Sequence, residues 1–259
     1  MKNFFKKNAW SICAGLLSLV FMWALWFIAQ KTVKNEYLIP SFSQTIIAFF
    51  ALLKEGFFWQ SLSKTLLKVL LSFAISFVLG LIFAGVCKLF NWSKPFFKPI
   101  LSVIRTLPTM AILVLILIYT NRTTAPIIVA SLVLFPMIFA QFITAFDTIN
   151  SDVINTTKVF NISKKEKMVK IYFPMVAPSI LSHMGSNLSF AIKLVISAEV
   201  MAYTYASIGG MMESAHALID IPRLMALTII AILLGLIIEL VFAIINKYAF
   251  KWAKGDIDD

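Results

Sequence analysis

Residues 224–245 read LMALTIIAILLGLIIELVFAII, a stretch in which Glu239 is the single ionisable side chain. At ~1.5 Å of rise per residue, a helix of this length reaches about 33 Å, enough to cross the ~30 Å hydrocarbon core of a bilayer. Only a helix or a closed barrel bonds every backbone amide there without water. Working back along the chain, five more apolar runs follow the same logic, at residues 9–29, 62–86, 100–119, 125–145 and 178–202. The composition fits: of 259 residues 60% are hydrophobic, and the charged 14% is roughly half the usual share. A water-soluble surface cannot be built from such a chain, and disorder, soluble secretion and a disulfide scaffold are excluded with it. The expected fold is an all-α membrane protein with about six transmembrane helices.

A net charge of +11 would suggest nucleic acid in a soluble protein, so the positions of the cations decide its meaning. Threading six spans places fourteen of the 23 Lys and Arg on one face, among them Lys2, Lys6, Lys7, Lys88, Lys94, Lys98, Lys158, Lys247, Lys251 and Lys254. Six fall on the other, and Lys68, Arg105 and Lys193 lie in or beside spans. The positive-inside rule puts both termini in the cytoplasm, and the charge becomes an orientation signal that also meets anionic lipid. Nucleic-acid binding is not expected. The first run, longer than a signal-peptide core and ending in Trp23, Trp26 and Phe27, reads as an uncleaved anchor. Ser41 to Trp59 is amphipathic and reads as an external interfacial helix. Cys13 and Cys87 sit in or at the end of apolar runs and read as small buried hydrophobes.

The longest cytoplasmic interruption, residues 146–173 between the fourth and fifth spans, reads FDTINSDVINTTKVFNISKKEKMVKIYF. Asp152 can open a short helix through Phe160, and Asn161 suits the left-handed position that ends one. Ser163 and Glu166 form an S-x-x-E capping box for a second, basic helix carrying Lys164, Lys165, Lys167 and Lys170, with Pro174 and Pro178 marking the return into the membrane.

This loop resembles the transmembrane permease subunit of bacterial binding-protein-dependent ABC importers. Their signature is E-A-A, three residues, Gly, nine residues, then I-x-L-P. The same spacing here reads Asn155-Thr156-Thr157, Asn161, then Ile171-Tyr172-Phe173-Pro174. Asn155 lacks the family's carboxylate, for which Asp152 and Lys158 could supply alternative charge. Two further stretches resemble the nitrate/sulfonate/taurine branch: Arg105-Thr106-Leu107-Pro108-Thr109-Met110-Ala111, and Ser197-Ala198-Glu199-Val200 followed by Ile208-Gly209-Gly210 and Glu239.

The resemblance covers about Gln60 to Lys247. It implies a permease core at 60–250 behind an N-terminal anchor and external segment at 1–59, with a cytoplasmic tail at 251–259. It also implies that Asn155 to Lys170 couples to a separate ATPase subunit, which binds the ATP, and that this chain holds no cofactor. The implied partners are a second permease copy in a homodimer and an extracytoplasmic solute-binding protein. The implied setting is the bacterial plasma membrane. Nitrate, sulfonates, taurine and vitamin-related precursors are the solutes of such systems, and selectivity rests largely with the binding protein.

The fifth span carries polar residues at helical spacing: Ser179, His183, Ser186, Lys193 and Ser197 share a face, flanked by Ser182 and Asn187. A lysine costs ~2.5–3.5 kcal/mol at the centre of a span, so this stripe should face protein or water. It reads either as a translocation path, with Glu199 as a further member, or as a packing seam in which Lys193 pairs with Glu199 or Glu239. A cation toward the outer half would favour an anionic solute. Tyr203 to Arg223 is too polar for a span and reads as an external re-entrant or surface helix.

No Gly is followed directly by Lys, so the phosphate-cradling P-loop is absent, as are H-E-x-x-H and G-x-S-x-G. No catalytic or metal site is expected. The competing reading is a self-sufficient secondary transporter with Lys193, Glu199 and Glu239 as an ion or proton relay. Inverted repeats would favour that reading, and the two halves show no such self-similarity.

Overall fold

The computed structural model describes residues 2–33, 39–90, 92–160 and 162–249, with the side chains of 2–14, 16, 19, 22, 151, 158 and 249 left aside. Among them no strand occurs. The helices are α1 (Lys2–Val33), α2 (Phe42–Lys54), α3 (Gly56–Leu89), α4 (Ser93–Thr106), α5 (Thr109–Tyr119), α6 (Ala125–Asp147), α7 (Ser151–Val159) and α8 (Lys164–Glu166). A π-helical segment (Lys167–Tyr172), α9 (Phe173–Met201), α10 (Ile208–Ala217) and α11 (Ile221–Ala249) complete the chain. The expected tail at 251–259 and the side chain of Cys13 lie outside the described residues, whereas Cys87 is buried.

By length and composition α3, α6 and α11 can each cross a membrane, and α4 with α5 can do so as one bent unit. That unit corrects the expectation of a continuous span over 100–119. Helix α4 ends at Thr106, Leu107 is extended (φ −66°, ψ 128°), and α5 starts beyond Pro108 at an angle of 93° to α4. The cause is local: proline has no amide to donate and pushes the residue before it out of the helical region. The expected external helix over 41–59 is likewise shorter. It stops at Lys54, Glu55 is extended, and Gly56 to Trp59 open α3. The start of α2 is a complete capping box, with Ser41 accepting from the Gln44 amide and Gln44 accepting from the Ser41 amide.

Helices α3, α6 and α9 form the centre, flanked by α11, α2 and α10. Lipid offers apolar side chains much the same environment as the protein interior, so close packing and interhelical hydrogen bonds hold such a bundle. On α3 the Ser76 hydroxyl donates to the Ser131 carbonyl of α6 at 3.0 Å, and Gly80 admits the α6 backbone near Phe139. Where α4 meets α3 and α6, Phe83 meets Phe97 and Phe135 edge to face, and Phe139 packs at a tilt against both of them.

Candidate functional site

The loop at the end of α6 is built as a supported knob. Ile149 and Thr157 are buried, with the Thr157 hydroxyl donating to the Ile154 carbonyl at 2.7 Å, and Val153 and Ile154 pack on the core. Asn155 and Thr156 face outward, and beyond them Val159 (78%) and Phe160 (73%) are exposed. The Ile162 amide donates back to the Thr157 carbonyl at 3.2 Å, the bond across six residues with which a chain leaves a helix. Asn161, expected at that exit, and the Lys158 side chain lie outside the described residues.

Ser163 caps α8, its hydroxyl accepting the Glu166 amide at 3.3 Å. The Glu166 carboxylate accepts from Lys170 at 3.0 Å and from the Ser163 hydroxyl at 3.0 Å. Chiefly the Lys170 hydrogen bond, then that of Ser163, holds this carboxyl below its ordinary 4.5. The return into the membrane at Pro174 and Pro178 takes place within one helical run. From Lys164 the helix passes through the π segment into α9 without interruption, the Phe173 amide donating to the Met168 carbonyl. Pro174, which has no amide to donate, sits in the first turn of α9 directly after the π segment.

The polar stripe of α9 divides. Ser179, Ser182, His183, Ser186, Lys193 and Ser197 lie on the face that the rest of the chain leaves uncovered. Asn187 turns inward and exchanges two hydrogen bonds with Gln141 of α6, at 2.7 and 3.0 Å. Ser179 and His183 line a cavity of about 510 Å³ with Gln141, Thr144 and Arg105 of α4, whose guanidinium donates to the Pro136 carbonyl at 2.9 Å. This brings Arg105 to the cavity in place of Lys193, which is not in its lining. Gln141 and Arg105 were not among the expected path residues. Arg105 lies in the R-x-x-P stretch, but its partner, the Pro136 carbonyl, is 31 positions away on α6.

Glu199 is not on the exposed face. It is fully buried and pairs with Lys68 of α3 at 2.7 Å rather than with Lys193; neither Lys193 nor Glu239 has an ion pair among the described residues. The Thr65 hydroxyl lies 2.9 and 3.1 Å from its two oxygens, and the Gly209 amide donates at 3.2 Å from the first turn of α10. Thr65 in turn accepts the Ile208 amide at 2.9 Å. A carboxylate at a helix N-terminus meets both free amides and the positive end of the dipole. The cluster therefore ties α3, α9 and α10 together.

Gly209 is what permits the approach. A Cβ there would stand 2.7 Å from the Ile196 carbonyl and 2.7 Å from the Val200 amide, both backbone atoms that cannot step aside. Gly209→Ala is expected to lose about 1–3 kcal/mol by overpacking, read as a lower thermal midpoint of the purified chain.

Between α9 and α11 the chain turns through left-handed residues Tyr203 (φ 52°), Ala206 (φ 48°) and Ile219 (φ 57°). Ser207 caps α10, and Ile208, Met211, Met212 and Ala215 bury one side of it, as a re-entrant or surface helix requires. A cavity of about 440 Å³ opens here beside Arg122, Tyr205, Glu213 and Asp220. Arg223 closes its edge through a two-point contact to Glu55 at 2.6 and 2.8 Å. No group of three or more His, Cys, Asp or Glu able to hold a metal occurs among the described residues.

Residues 76–252 match the family described as binding-protein-dependent transport system inner membrane component. The glycine betaine transport system permease protein OpuAB of Bacillus subtilis (strain 168) is 22% identical over 72% of this chain and 63% of its own length. The putative aliphatic sulfonates transport permease protein SsuC of the same organism is 20% identical over 95% of this chain and 89% of its own. The trimethylamine N-oxide transport system permease protein TmoV of Pelagibacter ubique (strain HTCC1062) is 26% identical, the chain spanning 27% of its length. Among solved structures, a chain of a bacterial alginate ABC transporter in complex with an alginate pentasaccharide-bound periplasmic protein superposes with a TM-score of 0.65 at 15% identity, over 95% of this chain and 96% of its own. A chain of the inward-facing MetNI methionine ABC transporter gives 0.62 at 16%, over 75% and 98%. At these identities the superpositions establish a shared fold.

Proposed function

We propose that this chain, which belongs to the family of binding-protein-dependent transport system inner membrane components, forms the solute path of a bacterial ABC importer and takes its driving force from a separate ATPase subunit. The observation that carries this reading is the unbroken helix from Lys164 to Met201. It joins an exposed, internally braced loop at one end to the uncovered polar face of α9 at the other, so a push on the loop is delivered to the path. Asn155, Thr156, Thr157, Lys158, Asn161 and Ser163 to Lys170 form the coupling element in this reading. Ser179, His183, Ser186, Lys193 and Ser197 face the path, while Asn187 and Glu199 support it from within.

The rest of the assembly follows the same logic. A second copy covers the polar face of α9, and a solute-binding protein docks near α10. Six spans thread the plasma membrane with both termini in the cytoplasm, α1 and α9 joining the four crossings that length and composition support. ATP is bound by the partner alone. The named relatives broaden the solute class from nitrate, sulfonates, taurine and vitamin precursors to include betaines. Arg105 in the cavity suits an anionic or zwitterionic solute.

The test is uptake into vesicles holding this chain with its co-expressed ATPase and binding protein. Uptake is expected only with hydrolysable ATP. Uptake driven by a proton gradient alone would overturn the reading in favour of a secondary transporter, although Glu199 is already committed to Lys68 and is poorly placed to relay protons.

A further inference from the structure

At the end of α3 nearest the loop, a cavity of about 430 Å³ is ringed by Lys88, Lys94, Lys164 and Lys167, against a single acid, Asp147. Lys88 donates to the Phe146 carbonyl at 2.6 Å, and Lys94 pairs with Asp147 at 2.8 Å at the exposed rim. Lys164 lies 4.3 Å over the Phe90 ring, and neither it nor Lys167 has an acidic partner among the described residues. Four cations around one carboxylate repel one another unless an anion joins them.

A second space begins where the first ends. An open groove of about 870 Å³ shares Lys94 and Ile143 with the basic cavity and runs between α4 and α6 past Lys98, Leu101, Ser102 and Phe139 to Thr106, with Arg105, which also lines the polar cavity of α9, at its far end. From Lys94 to Thr106 the α4 backbone advances about 18 Å at ~1.5 Å per residue, so the groove extends well into the apolar layer. A free phosphate would use the cations and leave the apolar wall of Leu101, Phe139 and Ile143 uncovered. A molecule with an anionic head and a hydrocarbon chain uses both.

We propose that the Lys88–Lys94–Lys164–Lys167 cavity binds the phosphate of an anionic phospholipid whose acyl chain lies in the α4–α6 groove. The site takes from the proposed topology only that this end of α3 lies at headgroup level. Because Lys164 and Lys167 belong to α8 and the π segment, the bound lipid fastens the base of the coupling loop to α3 and α6.

Native mass spectrometry of the full chain in detergent, titrated with phosphatidylglycerol, phosphatidylcholine or inorganic phosphate, tests this. Phosphatidylglycerol should be retained about tenfold better than phosphatidylcholine, and K94Q/K167Q should abolish the preference while leaving neutral-lipid adducts unchanged. Ser102→Trp, at an exposed groove position, should weaken phosphatidylglycerol retention with no change in phosphate binding. Equal retention of the two lipids overturns the proposal. So does a phosphatidylglycerol site indifferent to S102W and emptied by inorganic phosphate, which would be a soluble-anion site. S102W that splits dimers into monomers without changing lipid adducts also overturns it, since the groove would then belong to a second copy. ATP-dependence of uptake bears on the transport reading alone, so the two ideas fail separately.

Discussion

Glu199→Gln is expected to destabilise the chain by about 3–5 kcal/mol, because it leaves the Lys68 ammonium charged and buried with no counter-charge. The amide keeps the shape of the carboxylate and can still accept from Thr65 and Gly209. The loss is therefore electrostatic rather than a matter of volume. Adding Lys68→Met removes the orphan cation, and the double variant is expected to regain at least half of the lost stability. The thermal midpoint in detergent of wild type, both single variants and the double variant measures this coupling. A double variant no more stable than Glu199→Gln would mean that the pair is not what holds α3, α9 and α10 together.

Deleting Asn161 to Lys164 is expected to abolish ATP-driven uptake while leaving the helical core folded. The deletion removes the connection from α7 together with Lys164, the first residue of α8, and should swing Val159 and Phe160 away from the helix that continues into α9. A milder change should act in proportion. Phe160 is a large exposed aromatic on a braced turn, the kind of residue that dominates a protein interface, and Phe160→Ala should weaken ATPase association about thirtyfold. Co-purification of the ATPase and vesicle uptake are the readouts, with circular dichroism showing that the helices persist. Full uptake with a co-purifying ATPase after the deletion would sink the coupling role.

These two predictions rest on features that differed in how far the sequence disclosed them. The helical start at Ser163 was readable because capping is local, written in residues three apart; the same signal at Ser41 and Gln44 was passed over in favour of amphipathicity. The polar face of α9 was readable because helical periodicity places Ser179, His183 and Ser186 together. The Lys68–Glu199 pair was not readable. Its members are 131 positions apart, and Lys193 and Glu239 offered equally plausible charges nearer in sequence. The bend at Pro108 was underestimated because apolarity alone runs straight through it, whereas the missing amide acts on geometry without changing hydropathy. The joining of α8 to α9 went the other way. Two prolines marked the return into the membrane, but not that Pro174 would follow directly on a π segment and Pro178 lie inside α9.

The distance along the chain between Lys68 and Glu199 also sets an order of events during synthesis. Ribosomes add roughly 5–20 residues per second, so on the order of ten seconds separates the emergence of the lysine from that of its partner. For that interval α3 must reside at the insertion machinery or in the membrane with an unneutralised ammonium, held there by the apolar residues that follow it. The carboxylate that neutralises it arrives only near the end of α9, with α10, whose Gly209 amide completes the cluster, and α11 still to be made.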